Sequence, residues 1–213
     1  MAKLRIVIIS DTHGLHERIS IPDGDILVHA GDLTSKGDLA DIAEFNEFLG
    51  RLAHPHKIVI AGNHDFAFER SPQAARECLT NATYLEDTAV VLCGIKFYGS
   101  PWQPRFFDWA FNLDRGAPLK RKWDMIPDDT DVLMTHGPPA GYGDTTRGGM
   151  AVGCTDLARA VERIQPRLHI FGHIHEGYGS RTVGNTTYIN ASTCDLQYRP
   201  VNPPVIYEWS EGE

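Results

Sequence analysis

Cysteine is scarce and scattered in this chain of 213 residues. Cys78, Cys93, Cys154 and Cys194 lie far apart and form no CxxC pair, which excludes a thiolate metal knot and leaves reduced thiols packed as small hydrophobes. Positive charge is also in the minority, with 20 Lys and Arg against 28 Asp and Glu and a net charge of −8. That balance excludes a protein that holds a long polyanion by neutralising many phosphates, so no stable nucleic-acid partner is expected. A small phosphorylated substrate remains open, because bound cations invert the local charge. No apolar run approaches the ~20 residues of a bilayer span, and no membrane partner is expected. The opening MAKLRIVIIS runs straight into Asp11 and His13. It lacks the longer apolar core and small-residue cleavage site of a signal peptide, so it reads as the first strand of a cytoplasmic protein. Low-complexity segments, heptads and internal repeats are missing too.

What is there is an ordinary globular composition, 42% hydrophobic and 23% charged, in a length that suits one domain spanning 1–213. Five short β-branched runs read as buried strands: 4–9, 26–29, 58–61, 131–135 and 168–171. Helical spacing puts Leu39, Ile42, Phe45, Leu49 and Leu52 on one face of 38–52. Further helices are expected over 71–79, with Ser71 as cap and Pro72 at the first position, and over 155–164, ended by Pro166. The stretches 89–99 and 182–191 break at Gly94 and at Gly184-Asn185 and read as hairpins. Strands alternating with helices make an α/β fold whose sheets are mixed. Residues 101–128 carry little regular pattern and read as an ordered excursion.

Polar groups follow each of the five strands. Asp11 and His13 follow the first, Asp32 the second, Asn63 and His64 the third, His136 the fourth, and His173 and His175 the fifth. Ligands of α/β sheets bind beyond the carboxyl ends of the strands. Glycine stands directly before three of these clusters, at Gly31, Gly62 and Gly172, where it would permit tight exits. Each piece alone is weak, but Gly-Asn-His-Asp arises by chance in a chain of this size with odds on the order of one in a thousand. Carboxylate, amide and imidazole donors without thiolate suit Mn, Fe, Zn or Ni. Seven ligands are too many for one tetrahedral ion and fit two ions, ~3.5–4 Å apart, sharing one carboxylate. Such a pair clamps phosphate oxygens and lowers the pKa of a bridging water, presenting hydroxide in line with the leaving group. His64 is the candidate proton donor to the leaving oxygen, with Asp65 orienting its ring. Asn63 and His64 would also meet the substrate.

The blocks Asp11-x-His13, Gly31-Asp32, Gly62-Asn63-His64-Asp65, Thr135-His136-Gly137 and Gly172-His173-x-His175 resemble those of the calcineurin-like metallophosphoesterases. The resemblance implies a four-layer α/β/β/α sandwich of two mixed β-sheets flanked by helices. It implies one metal on Asp11, His13, Asp32 and His175, and a second on Asp32, Asn63, His136 and His173. YGSPWQPRFFDWAFN (98–112), THGPPAGYGD (135–144), FGHIHEGYG (171–179) and YINASTC (188–194) are similar to the metallophosphoesterase-domain-containing proteins of animals and bacteria. That subgroup resembles class III cyclic nucleotide phosphodiesterases. Some members lack the first histidine of the last block and are nearly inactive; His173 is retained here. The segment GDLTSKGD lacks the arginine that Ser/Thr phosphatases of the superfamily carry after Gly-Asp, which argues against phosphoprotein substrates.

The expected activity is therefore metal-dependent hydrolysis of small phosphodiesters, with 2′,3′- or 3′,5′-cyclic nucleotides as the leading class. Two alternatives stay open: a catalytically weak scaffold of the same fold, and a single-strand nuclease. For the nuclease, Trp102, Arg105, Phe106, Phe107, Trp109 and Phe111 would stack bases, or the aromatics would instead fill core beneath the excursion. Relatives include dimers, so a homodimer is open, although no interface is legible.

Overall fold

The computed structural model describes residues 3–210, so Met1, Ala2 and the last three residues of the expected 1–213 domain lie outside the described residues. In chain order the elements are β1 (Leu4–Ile9), β2 (Ile26–Ala30), α1 (Leu39–Arg51), β3 (His56–Ile60), α2 (Phe66–Arg70), α3 (Pro72–Cys78) and β4 (Thr83–Tyr84). Then come β5 (Thr88–Leu92), β6 (Ile95–Ser100), β7 (Gln103–Pro104), β8 (Asn112–Leu113), α4 (Ala117–Trp123), β9 (Val132–Thr135) and α5 (Thr155–Ile164). The chain closes with β10 (Leu168–Phe171), β11 (Gly179–Val183), β12 (Thr186–Asn190) and β13 (Val205–Trp209).

Two mixed sheets face each other. The first runs β13-β1-β2-β3-β4 and the second β11-β12-β10-β9-β6-β5. Within each, the inner strands are parallel and an antiparallel strand borders them, β13 on β1, β5 on β6 and β11 on β12. Both expected hairpins are present as β5–β6 and β11–β12. Alternate strand residues divide between the layers. Ile6, Ile8, Val28 and Ile60 meet Phe97, Met134 and Ile170 between the sheets. Val7, Ile9, Leu27 and Val59 turn outward to α1, α2 and α3. Leu133, Tyr98 and Tyr188 pack against α4 and α5 on the other side. Strands buried on both faces explain why their sequences are near-continuous Val and Ile, each fully buried side chain contributing roughly 1.5–3 kcal/mol. The result is the four-layer α/β/β/α sandwich.

Local chemistry sets the helices. The Asp38 side chain accepts from Asp41 N at 2.9 Å and starts α1, whose last turn carries Arg51. Its buried face is Ile42, Phe45, Phe48 and Leu49 rather than one that includes Leu39, which sits in the first turn and remains 39% exposed. Ser71 occupies the cap position of α3 but makes no capping bond, and Pro72 alone fits the expectation there. The excursion is more regular than expected. It holds the two-residue pair β7–β8 and the helix α4, which buries only Leu119 and Trp123. One apolar pair four residues apart, straddling Lys-Arg-Lys, is too little periodicity to stand out in sequence. Among the described residues no helix is long and apolar enough to cross a membrane.

Candidate metal centre

The ladders continue past the strand ends and bring the polar blocks together. Asp11 N donates to Gly31 O (2.9 Å), His13 N to Asp32 O (3.0 Å), Gly172 N to His136 O (2.9 Å) and Thr193 N to Ser10 O (2.8 Å). The last bond and the parallel Ser10–Ser192 bridge tie the first sheet to the second. Asp11, His13, Asp32 and His173 all take positive φ, between 45° and 66°. Left-handed backbone is costly outside glycine, and such strain concentrates at functional sites. Glycine serves a different purpose at two of the three expected exits. A Cβ on Gly62 would stand 2.3 Å from Asp32 Oδ1, and one on Gly172 2.0 Å from Asp11 Oδ2. These two positions need space for a carboxylate rather than conformational freedom; only Gly31, at φ +98°, is a true left-handed exit.

Asp32 stands between the two ends of the cluster. Its Oδ2 is 3.8 Å from His13 Nε2 and 3.4 Å from His136 Nε2, while Oδ1 accepts from His64 N at 2.8 Å. On one side His13 Nε2 and His175 Nε2 are 3.2 Å apart, and Asp11 Oδ1 lies 3.4 Å from His175 Nε2. On the other, His136 Nε2 faces Asn63 Oδ1 at 3.0 Å, with the His173 ring edge-on at 5.1 Å between centroids. The seven expected ligands thus lie in one buried cluster. Asp11, His13 and His175 form one group of donor atoms mutually within 4.8 Å; Asp11, Asp32 and His136 form another. A third joins His13 and Asp32 to His64.

The donor chemistry fits divalent cations. A carbonyl only accepts, so Nδ1 of His136 donates to Ala30 O (3.0 Å) and Nδ1 of His175 to Asp195 O (3.0 Å). Each Nε2 lone pair then points at carboxylate oxygen, an arrangement that needs a positive charge in between. Without a metal, a proton takes that place. Burial lowers His136 and His175, but the charge of Asp32 on the first and the hydrogen bond and charge of Asp11 on the second outweigh it and raise both to about 9. Burial would raise the Asp11 and Asp32 carboxyls, yet His175 and His136 hold them well below the usual carboxylate range. Burial keeps His13 neutral at about 4 and His173 at about 3. Ligating imidazoles must be neutral, so these two are ready to bind.

Behind the cluster, His29 and His169 repeat one device in the two sheets. Thr12 Oγ1 donates to Leu33 O (3.3 Å) and meets His29 Nε2 at 3.0 Å; Thr135 Oγ1 donates to Gly137 O (2.9 Å) and meets His169 Nε2 at 2.9 Å. A hydroxyl has one proton, so each threonine accepts from its histidine, which must be the neutral Nε2–H form. Burial lowers both rings to about 3, consistent with neutrality. Thr12 separates Asp11 from His13, and Thr135 precedes His136. Replacing either threonine by valine removes the hydroxyl that ties its buried histidine to the loop beside a ligand block and is expected to weaken metal binding, while serine preserves it. Calorimetric titration with Mn would reject the orienting role if valine and serine bound alike.

Asp65 does not orient His64. Its carboxylate accepts from Leu33 N (3.2 Å), Thr34 N (3.0 Å), Thr34 Oγ1 (2.7 Å) and Gly62 N (2.7 Å), joining the loops after β2 and β3. It is raised to about 6 by burial and then by the Asp32 charge, against the pull of those bonds. The His64 ring is held instead by its Nδ1 donating to Ser35 O (3.1 Å) and by Trp109, tilted 30° at 4.2 Å. Sequence reasoning also misses Ser192, whose Oγ donates to Asp11 Oδ2 at 2.9 Å. Ser192 belongs to no ligand block, and only its neighbours in YINASTC hint at a role.

Above the cluster opens a cavity of about 410 Å³ floored by His13, His64, His173 and His175. Its walls divide the excursion's aromatics. Phe111 is fully buried and Trp102 packs beside it, whereas Arg105, Phe106 and Trp109 line the cavity.

Proteins of known sequence and structure resemble this chain. Metallophosphoesterase domain-containing protein 1 of Homo sapiens is 45% identical over 229 aligned positions, covering 96% of this chain and 70% of its own. UPF0046 protein C25E10.12 of Caenorhabditis elegans is 42% identical, with 97% and 81% covered. Among solved structures, TT1561 of Thermus thermophilus superposes with a TM-score of 0.63 at 16% identity over 90% of both chains, a likeness of fold. The model of the calcineurin-like phosphoesterases matches residues 4–177, across all five blocks, and the chain belongs to that family.

Proposed function

We propose that the chain is a dinuclear metal-dependent phosphodiesterase acting on small diesters, with 2′,3′- or 3′,5′-cyclic nucleotides as substrates. The position of Asp32 carries the proposal: one carboxylate lies between His13 and His136 at 3.8 and 3.4 Å, and each side supplies further donors. One cation would be held by Asp11, His13, Asp32 and His175, the other by Asp32, Asn63, His136 and His173. When bound, the pair supplies Lewis acidity and an activated water. The chain's own part is to fix the phosphate and manage protons. Asn63 and His64, adjacent on one loop, border the substrate space. With Nδ1 engaged by Ser35 O, Nε2 is the His64 nitrogen free to protonate the leaving oxygen.

The test is to strip the protein with chelator and titrate Mn, Fe, Zn, Co or Ni while following a chromogenic phosphodiester and both cyclic AMP isomers. Metal-dependent release is expected, with rates that change little with salt. No turnover with any of the five metals would overturn the proposal. A steep fall with salt would favour a nuclease instead, because phosphate contacts along a strand release counterions.

A further inference from the structure

Of eleven large apolar side chains left exposed among the described residues, Phe106, Met150, Leu196 and Tyr198 line the cavity over the metal cluster. A polar floor is thus rimmed by apolar groups from separate loops, a combination that marks a ligand surface. Two of these residues are aromatic, and both are held in place at some cost. Tyr198 has φ +53°, unfavourable for a bulky residue, yet the residue is 49% exposed. Its loop is heavily tied: Tyr198 N donates to Asp195 O, Gln197 N and Arg199 N donate to Asp195 Oδ1, and Arg199 Nε donates to Oδ2. Asp195 O also accepts from His175 Nδ1, so one carbonyl positions both a candidate ligand and the tyrosine loop. The ring stands edge-on to His13 at 4.8 Å and His175 at 5.8 Å, and lies 6.1 Å from His64.

Phe106 mirrors this on the other side. It is 48% exposed and edge-on to His173 at 5.9 Å. Asn112 clamps its loop, with Oδ1 accepting from Phe106 N and Nδ2 donating to the carbonyls of Phe106 and Phe107, the latter at φ +46°. Strained loops that hold open aromatic rings beside a polar centre are pre-organised for something flat.

We propose that Tyr198, supported across the cavity by Phe106, is the platform on which a planar heteroaromatic ring of the substrate stacks, so that the site selects phosphoesters of nucleosides over those of simple alcohols. This rests on the phosphoester function proposed above.

Binding separates this from turnover. Mn-loaded protein is titrated with AMP and with ribose 5-phosphate, which share the phosphorylated sugar and differ by the base. AMP is expected to bind more tightly; Tyr198→Ala costs about 5- to 150-fold for AMP, the range for losing one stacked base, and less than about twofold for ribose 5-phosphate. Phe106→Ala shifts binding in the same sense, and Tyr198→Phe, which keeps the ring, retains AMP. Tyr198→Gly, at home at positive φ, loses AMP preference without a lower melting temperature, which a purely structural tyrosine would not allow. Equal loss for both ligands, or no preference for AMP in the unmodified protein, would overturn the platform. Binding of neither ligand to the metal-loaded protein would overturn the phosphoester reading together with it.

Discussion

Replacing Asp32 by asparagine is expected to empty both proposed cation positions at once and to leave the fold standing. Asparagine is almost the same shape as aspartate and is among the few side chains that accept left-handed backbone, so φ +55° at this position is no obstacle. One side-chain oxygen can go on accepting from His64 N. The amide nitrogen then occupies the place of Oδ2, which faces His13 and His136. Instead of a shared negative charge, the site presents N–H donors to the imidazole lone pairs that should bind metal. Losing even an indirect partner of a ligand costs about 10–100-fold in affinity, so loss of a bridging carboxylate is expected to exceed about 100-fold for both ions. Metal content after dialysis checks this, and an unchanged content would remove Asp32 from its bridging role. A second readout is independent of metal. The Asp32 charge is the chief influence that raises His136 to about 9, so in metal-free Asp32→Asn protein that ring should titrate at lower pH by NMR. His175, raised mainly by Asp11, should move less.

The legible part of this centre is the part written locally. Each ligand block is a short polar cluster directly after an apolar run, so strand prediction alone brings Asp11, His13, Asp32, Asn63, His136, His173 and His175 to one edge. Boundaries follow from the same β-branched runs to within two residues at β1, β2, β3, β9 and β10. What stays hidden depends on contacts between distant segments. Ser192 reaches Asp11 across 181 positions, and the Asp195 loop reaches His175 across 20; neither carries a motif of its own. The glycines mislead in a useful way. Their positions before the ligands suggest a conformational role, but at Gly62 and Gly172 the need is for room beside a carboxylate donated by another loop. Sequence adjacency pairs Asp65 with His64, while the two Asp65 oxygens in fact close four bonds to residues of two loops. Adjacency is a poor guide once both residues sit in a tight turn.

His64→Ala is expected to slow alkyl and nucleoside esters by about 10²–10³-fold, and p-nitrophenyl esters by less than about tenfold. A good leaving group departs without a proton, whereas an alkoxide needs one, and general acids contribute about 10²–10⁴-fold. His64 is placed for that work: its ring is buried between Trp109 at 4.2 Å and His13 at 4.6 Å, and the Ser35 carbonyl fixes its orientation through Nδ1. The same placement creates a competing role. His64 offers a nitrogen within 4.8 Å of donor atoms on His13 and Asp32, close enough for a direct metal ligand. The two roles part in the metal content. A proton donor leaves the number of bound ions unchanged in the alanine variant, and only the dependence on leaving-group pKa steepens. A ligand takes an ion with it and slows every ester alike. Equal slowing with metal content intact would mean that His64 binds the phosphate without protonating the leaving oxygen.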